Sequence, residues 1–320
     1  MVKSVETQTY RIVHLSDLHL TARDTDRRSE PKLFGPLRGM NVAFRTILRS
    51  PQINKADVVL ITGDITDRGD PAAWAVFQEA ITAAGIGDRL LIVPGNHDVC
   101  CFGLARLPRR GRSVSQDLKK AVESLRLARV SSRLFPADDG GFDRFPWIVR
   151  PIPELALFGL NSNNLGNLTL ATNARGDVDY YQLERLGRLL WKYRGVAVKI
   201  LALHHSPSIP DSPTARKRDL NPFSKLEVAG HQIPRHQRQA LRLLCLSHRV
   251  RLVVHGHLHR SEDRRVAGIR TIGAPATTEP FQTDGGPPGY RYFQYTLHRT
   301  SRRVSVRLET LSAAMPQSLQ

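Results

Sequence analysis

Residues that can bind a metal ion or transfer a proton stand directly after short apolar runs of the sequence. The runs at 11–15, 57–61, 89–93, 198–203 and 251–254 have the composition of buried strands. The polar residues that follow them are Asp17, His19, Asp64, Asn96, His97, Asp98, His204, His205, His257 and His259. Ligands of α/β proteins lie beyond the carboxyl ends of the strands. The sequence therefore predicts one polar centre at a sheet edge.

The donor types of this centre suit divalent metal ions. Imidazole binds zinc, iron and nickel, and carboxylate oxygens bind magnesium and manganese. The set contains no thiolate, and it is larger than one four-coordinate zinc ion needs. Two ions about 3.5–4 Å apart that share a carboxylate account for it better, because such a pair clamps the attacking and leaving oxygens at phosphorus. The pair also lowers the pKa of a bridging water and supplies hydroxide at neutral pH.

Helical patterns alternate with the apolar runs over most of the chain. Apolar residues recur at helical spacing over 71–84, 114–134, 179–193 and 236–248, and a further apolar run stands at 155–160. This alternation predicts an α/β fold with helices packed on a sheet. After residue 262 the pattern changes to consecutive antiparallel strands. We predict a single domain over residues 1–310 and a disordered tail over 311–320.

The chain is strongly basic. Its 320 residues include 47 Lys and Arg against 29 Asp and Glu, which gives a formal net charge of +18. A positive field attracts phosphates, nucleic acid or anionic lipid headgroups, although the charge can also belong to an arginine-rich surface with no specific partner. Two unusual segments, near 102–133 and 206–235, look like basic insertions. The first could steer an anionic substrate or form a solvated helix face.

The composition argues against disorder, secretion and a membrane span. An apolar fraction of 41% is enough for a large core. Residues 1–10 lack the apolar core of a secretory signal, and no stretch approaches the roughly 20 apolar residues of a membrane span. Cys100, Cys101 and Cys245 form no CxxC pair, which argues against a disulfide framework. We therefore expect a cytoplasmic protein.

The polar residues also form an ordered series of motifs. They are "DLH" at 17–19, "GDITDRG" at 63–69, "GNHD" at 95–98, "HHSP" at 204–207 and "GHLH" at 256–259. Together the motifs resemble the calcineurin-like metallophosphoesterase superfamily, and the details look most like its bacterial cyclic-nucleotide phosphodiesterase branch. The resemblance implies a four-layer α/β/β/α sandwich, in which two mixed sheets are flanked by helices.

The resemblance implies a role for each residue of the centre. A first metal position would be held by Asp17, His19 and His259, with Asp64 bridging to a second position held by Asn96, His204 and His257. The ions would be Mn²⁺, iron or Zn²⁺. His97 would stay off the metals and protonate the leaving oxygen, and Asn96 would help to stabilise charge on the phosphate. Asp67 would orient His97, with Asp98 as a second possible partner, because a carboxylate fixes the tautomer of an imidazole.

The resulting hypothesis is a phosphodiesterase in which a metal-bridging hydroxide attacks a 3′,5′-cyclic nucleotide or a similar small diester. The charge of +18 favours a nuclease as an alternative, and an enzyme acting on phospholipid headgroups is a third possibility. A non-catalytic scaffold is disfavoured because no ligand of the motif set is missing. We therefore expect an anionic phosphoester substrate, with nucleic acid as a possible partner.

Several residues near the motifs have open roles. Adjacent strand residues point to opposite faces, so we expect only His204 of the pair 204–205 to reach the metals, which leaves His205 beside the substrate or in the packing. Arg68 is either a phosphate contact or a surface residue. His14 is expected in the core, and His255 is expected to support or pack against the centre.

Overall fold

Two mixed sheets form the middle of the protein. The computed structural model describes residues 8–28, 37–99, 145–163, 174–209, 222–282, 288–300 and 304–316, with single positions at 213 and 217. The first sheet contains β1 (Gln8–Leu15), β2 (Val58–Thr62), β3 (Leu90–Val93), β10 (Pro280–Phe281), β11 (Gly289–Arg299) and β12 (Val304–Ala314). Its order is β10-β11-β1-β2-β3, and β12 also pairs with β11. Strands β1, β2 and β3 are parallel, whereas β11 runs antiparallel to β1.

The second sheet has six strands in the order β4-β5-β6-β7-β9-β8. They are β4 (Trp147–Ile152), β5 (Leu155–Gly159), β6 (Val198–Ala202), β7 (Leu252–His255), β8 (Glu262–Val266) and β9 (Ile269–Gly273). Strands β5, β6, β7 and β9 are parallel to one another, and β4 and β8 are antiparallel edge strands. Each sheet therefore has a parallel centre whose strands end at the same edge.

Helices cover the outer face of each sheet. The helices are α1 (Met40–Leu48), α2 (Pro51–Lys55), α3 (Pro71–Ala84), α4 (Asn96–Val99), α5 (Tyr180–Lys192), α6 (Lys225–His231) and α7 (Arg235–Ser247). Phe44 of α1 and Phe77 of α3 pack on the first sheet, and Leu186 of α5 and Leu241 of α7 pack on the second. The arrangement confirms the predicted four-layer α/β/β/α sandwich.

The alternation of side chains along β1 explains why two separate cores form. Ile12 faces the second sheet and packs with Ile200 and Val254 between the sheets. Val13 and Leu15 face the opposite way, into the core beneath α1 and α3. Both faces of β1 are buried over residues 12–15, and these residues are apolar except for His14.

Local sequence signals define the helix ends. Helix α3 begins at Pro71 and ends at Ala84, and the next residue, Gly85, caps it with a left-handed φ of 62°. The Asp179 side chain accepts a hydrogen bond from the Gln182 N–H at the start of α5. These helices match the patterns predicted over 71–84 and 179–193, and α7 matches the one over 236–248. The helix predicted over 114–134 lies outside the described residues.

The end of the last strand differs from the predicted tail over 311–320. Strand β12 pairs with β11 through Ala314, so residues 311–314 belong to the sheet and the predicted tail over 311–320 begins too early. They stay in the sheet because Leu311 packs against the core beneath α1 and α3 and Ala313 is buried in that core.

The basic segment 102–133 lies outside the described residues. Within 206–235, the described part contains α6, which starts with a capping box between Ser224 and Glu227. No helix of the described residues is long and apolar enough to cross a membrane.

Candidate metal centre

Unusual backbone conformations bring the polar residues together beyond the strand ends. Five of the seven predicted metal ligands have a positive φ: Asp17 (52°), His19 (47°), Asp64 (50°), His257 (70°) and His259 (54°). Residues other than glycine rarely adopt this conformation, which costs of the order of 1–3 kcal/mol each and clusters at functional sites. These conformations lie in the turns beyond the strand ends and direct the side chains of the five residues toward one centre.

Backbone hydrogen bonds hold these turns in place. The Asp17 N–H donates to the Gly63 carbonyl at 3.0 Å, and the His19 N–H donates to the Asp64 carbonyl at 2.9 Å. Across the sheets, the His257 N–H donates to Asp17 Oδ1 at 3.0 Å. The turns that follow β1, β2 and β7 therefore form one connected unit.

Four side chains form the first cluster, which corresponds to the first predicted metal position. Ligand atoms of Asp17, His19, Asp64 and His259 all lie within 4.8 Å of one another. His19 Nε2 is 3.2 Å from His259 Nε2 and 3.8 Å from Asp64 Oδ2. His259 Nε2 is 3.5 Å from Asp17 Oδ1. Two carboxylates and two imidazoles directed at one point suit a divalent ion.

The second cluster shares the Asp64 carboxylate with the first. His204 Nε2 lies 3.3 Å from Asp64 Oδ2 and 3.1 Å from Asn96 Oδ1. The other ring nitrogen of His204 bonds to the Thr62 carbonyl at 2.7 Å, which directs Nε2 toward the cluster. The His257 ring centroid is 5.0 Å from that of His204. The buried His257 Nε2 has no hydrogen-bond partner among the described residues, as expected of a nitrogen that binds a metal.

His205, which was expected beside the substrate or in the packing, also belongs to this cluster. Strand β6 ends at Ala202, so the alternation of a strand no longer separates the adjacent residues His204 and His205. The His205 ring centroid is 4.4 Å from that of His257, and its Nδ1 bonds to the Ser162 hydroxyl at 3.0 Å. His205 Nε2 is buried without a hydrogen-bond partner among the described residues. A third imidazole is therefore within reach of the second metal position.

Burial and neighbouring charges shift the pKa values of several cluster residues. Burial opposes ionisation of Asp64, yet His204 and His97 hold its pKa well below the usual value. Burial likewise disfavours charge on His204, but the neighbouring Asp64 raises the pKa of His204 to about 9. Burial lowers the pKa of His19 and of His257, so these rings are neutral, which is the form that binds metals.

His97 lies next to the clusters and is held at both its backbone and its ring. Its N–H donates to Asp64 Oδ1 at 2.9 Å, and its ring Nδ1 bonds to the backbone carbonyl of Asp67 at 2.8 Å. The backbone carbonyl of Asp67 therefore helps to orient the ring, and a role of the Asp67 carboxylate in orienting His97 stays a prediction. The Asp67 carboxylate lies between His97 and His19, with Oδ1 3.8 Å from His19 Nδ1.

Asp98 braces the loops beneath His97. Its carboxylate accepts hydrogen bonds from the Thr66 N–H at 2.8 Å and the Gly95 N–H at 2.9 Å. Burial, with a further contribution from Asp64, raises the pKa of Asp98 to about 6. These bonds tie the turn after β2 to the turn after β3.

Arg28 and Glu279 are two residues at the centre that no motif revealed. The Arg28 guanidinium, 2% exposed, is 2.7 Å from His19 Nε2 and 3.1 Å from His259 Nε2. Glu279 Oε1 accepts from Arg28 at 2.6 Å and lies 2.8 Å from His259 Nδ1. Glu279 thus holds both a ligand histidine and the arginine beside it, as carboxylates near metal sites commonly do. The only sequence signal is their charge, because neither residue stands in a motif or directly follows a strand.

The remaining candidates, His14, His255 and Arg68, belong to neither cluster. His14 is a core residue that bonds to the Tyr295 hydroxyl and the Thr62 hydroxyl, both at 2.8 Å, and burial lowers its pKa to about 3. His255 is buried at the end of β7 and bonds to Ser206 Oγ at 3.3 Å, so it supports the turn below His257. Arg68 is 45% exposed and contacts the Asp67 carboxylate at 3.3 Å.

Comparison with known proteins defines the family. The model of the calcineurin-like phosphoesterase family matches residues 10–261, so the chain belongs to this family. It is accordingly a phosphoric ester hydrolase. The family uses divalent metal ions, and the two clusters provide donors that fit them.

Curated relatives are similar at low identity. The chain is 25% identical over 276 residues to a cAMP/cGMP dual specificity phosphodiesterase of Mycobacterium tuberculosis, covering 84% of this chain and 67% of the relative. It is 22% identical to a 3′,5′-cyclic-nucleotide phosphodiesterase of Nostoc, covering 85% of this chain and 80% of the relative. A crystal structure of a dimetal phosphatase from Danio rerio has a TM-score of 0.57 at 13% identity, covering 95% of this chain and 99% of that chain. The last likeness shows a shared fold.

We expect Gly95→Ala to damage the centre while leaving the fold intact. A Cβ at Gly95 would collide with the carboxylate and the backbone of Asp64. Asp64 would have to move, and we expect Mn²⁺ affinity, measured by titration calorimetry, to fall by about tenfold or more, as for other changes that disturb metal ligands. Gly195→Ala is the matched control, because a Cβ there meets nothing within 4 Å. Unchanged affinity in Gly95→Ala would contradict this account of the turn.

Proposed function

We propose that the protein is a dinuclear metal-dependent phosphodiesterase. Asp17, His19 and His259 would hold one ion, and Asn96, His204 and His257 would hold the other, with Asp64 contacting both. The observation that carries the proposal is the position of Asp64, whose Oδ2 faces His19 at 3.8 Å and His204 at 3.3 Å. A single carboxylate between two donor sets suits a pair of neighbouring ions.

When bound, two divalent ions would provide an activated water at neutral pH and would neutralise charge on the phosphate. Mn²⁺, iron and Zn²⁺ all suit a set of imidazole, carboxylate and amide donors. His205 is available as an additional ligand or as a support for the second position.

We also propose a cytoplasmic location, in keeping with the free, buried Cys245.

His97 is proposed as the acid that protonates the leaving oxygen. Its Nδ1–H donates to the Asp67 carbonyl, so Nε2 would carry a transferable proton when the ring is an imidazolium. The bond from its N–H to Asp64 fixes the backbone of His97 relative to both clusters. Asn96 directly precedes His97 in the turn after β3, and its amide would help to stabilise negative charge on the phosphate.

Arg28 is proposed as a contact of the substrate phosphate. A nitrogen lone pair serves one partner at a time, so Arg28 would release His19 and His259 when these bind an ion, while Glu279 still holds the guanidinium. The positive charge of two divalent ions would equal the negative charge of four carboxylates, those of Asp17, Asp64, Asp67 and Glu279. The charge of Arg28 would then remain for an anionic substrate, and guanidinium groups bind phosphate in a bidentate manner.

A 3′,5′-cyclic nucleotide is the proposed substrate, supported by what the curated relatives are named to cleave. A nuclease is the second candidate, favoured by the net charge of +18. The two differ in their response to salt, because nucleic-acid binding releases counterions and weakens steeply as salt rises.

We expect His97→Ala to lower kcat by about 10²–10⁴-fold on 3′,5′-cyclic AMP, because proton transfer to an alkoxide is lost. The loss should be much smaller on a bis(nitrophenyl) phosphate, whose leaving group needs no proton. His298→Ala, on β11, is the control, and metal content is measured for each variant. Equal losses on both substrates, with metals retained, would contradict the role as an acid.

A substrate panel at two salt concentrations tests the proposed substrate. It contains 3′,5′-cyclic AMP, 2′,3′-cyclic AMP, a glycerophosphodiester, single-stranded DNA, bis(nitrophenyl) phosphate and nitrophenyl phosphate. We expect the Mn²⁺-loaded enzyme to have its highest kcat/KM on 3′,5′-cyclic AMP, with little change between salt concentrations. A preference for DNA that falls steeply with salt would favour the nuclease. Cleavage of the monoester alone would overturn the phosphodiesterase proposal.

A further inference from the structure

A cavity lies on the outer side of the second sheet, between α7 and the hairpin of β8 and β9. It has a volume of about 840 Å³ and shares no described residue with the metal clusters. Five arginines line it: Arg235, Arg238, Arg242, Arg264 and Arg265. No carboxylate belongs to the described residues of its lining. The cavity therefore concentrates positive charge away from the proposed reaction centre.

The arginines on α7 follow from its sequence pattern. Arg235, Arg238 and Arg242 are three and four residues apart, which places them along one face of the helix. Among the described residues, no hydrogen bond or ion pair involves the side chain of Arg235 or of Arg242. Like charges on one helix face repel each other, so an anion that lies between them would be stabilised.

The hairpin presents the other two arginines in fixed positions. Arg264 donates to the Ser208 carbonyl at 3.0 Å and to Glu262 Oε2 at 2.6 Å, and its buried Nε has no hydrogen-bond partner among the described residues. Arg265 donates to the Gly268 carbonyl at 3.3 Å. One wall of the cavity is therefore held in place before any ligand arrives, and it retains a buried donor without a partner.

The floor of the cavity is apolar. Leu241 of α7, Val253 of β7 and Ile269 of β9 line it, and all three are buried in the core of the second sheet. Pockets of about 300–1,000 Å³ with an apolar lining and a few polar groups are typical of small-molecule sites. A ligand that fits both parts has an apolar or aromatic body and a strongly anionic group.

We propose that this cavity binds an organic phosphate, with the phosphate held by the arginines and the body of the ligand on the apolar floor. Guanidinium groups bind phosphate oxygens in pairs, and five of them around one volume favour phosphate over a neutral ligand. A mononucleotide has the required combination of charge and aromatic surface. The site is independent of the proposed phosphodiesterase activity, because it shares no residue with the metal centre.

Calorimetric titration of the metal-loaded protein with adenosine 5′-monophosphate tests the proposal, with a parallel titration after EDTA treatment. We expect a binding event that persists without metals. Arg235→Ala/Arg242→Ala should weaken it by about tenfold or more, since hydrogen bonds from charged guanidinium groups to the phosphate are lost. Gln239→Glu, which places a carboxylate in the lining without changing its shape, should weaken it as well. Arg251→Ala removes an exposed arginine outside the cavity and should have no effect.

Adenosine and inorganic phosphate complete the test. We expect each to bind at least tenfold more weakly than the nucleotide, because each lacks one half of the recognised chemistry. The proposal is overturned if nucleotide binding disappears with the metals, or if both cavity variants bind as the unchanged protein does. It is also overturned if adenosine binds as tightly as its monophosphate. Hydrolysis of bis(nitrophenyl) phosphate by each variant shows separately whether the metal centre is intact.

Discussion

The contact between Asp64 and His204 joins the two halves of the molecule. Asp64 follows β2 in the first sheet and His204 follows β6 in the second, yet their side chains lie 3.3 Å apart and are fully buried. A buried carboxylate is costly unless it is paired, so Asp64 requires partners from both sheets. His97 provides a backbone N–H from the first sheet, and His204 provides an imidazole from the second. Both donor clusters depend on this arrangement.

The sandwich fold provides what the contact needs. The core between the sheets brings the carboxyl ends of β1, β2, β6 and β7 to a common edge. Residues with a left-handed φ then direct the side chains toward the centre. The backbone at Gly256 lies so close to Ser16 that a Cβ would collide with Ser16 Oγ. The strain of these turns is offset by the rigid strands on either side. The ligands are thereby positioned by the fold, which limits the reorganisation needed to bind a metal.

Much of this arrangement could be predicted because it depends on local sequence. Apolar runs indicated the strands, and helical spacing over 71–84 indicated α3, which the structure places at Pro71–Ala84. The prediction about His205 was incomplete because strand alternation was extended past Ala202, where the strand ends. Arg28 and Glu279 are 251 positions apart and meet only through tertiary folding. Asp67 acts on His97 through its carbonyl, and a backbone contact of this kind has no signature in side-chain types.

The number of ions bound by the metal-depleted protein tests the central claim most directly. Mn²⁺ titration with metal analysis should give two equivalents for the unchanged chain, and Asp64→Asn should lose affinity at both positions because both share this carboxylate. Asp263→Asn, which removes an exposed carboxylate on β8, should still bind two. A single equivalent in the unchanged chain, or two tightly bound ions in Asp64→Asn, would contradict the account.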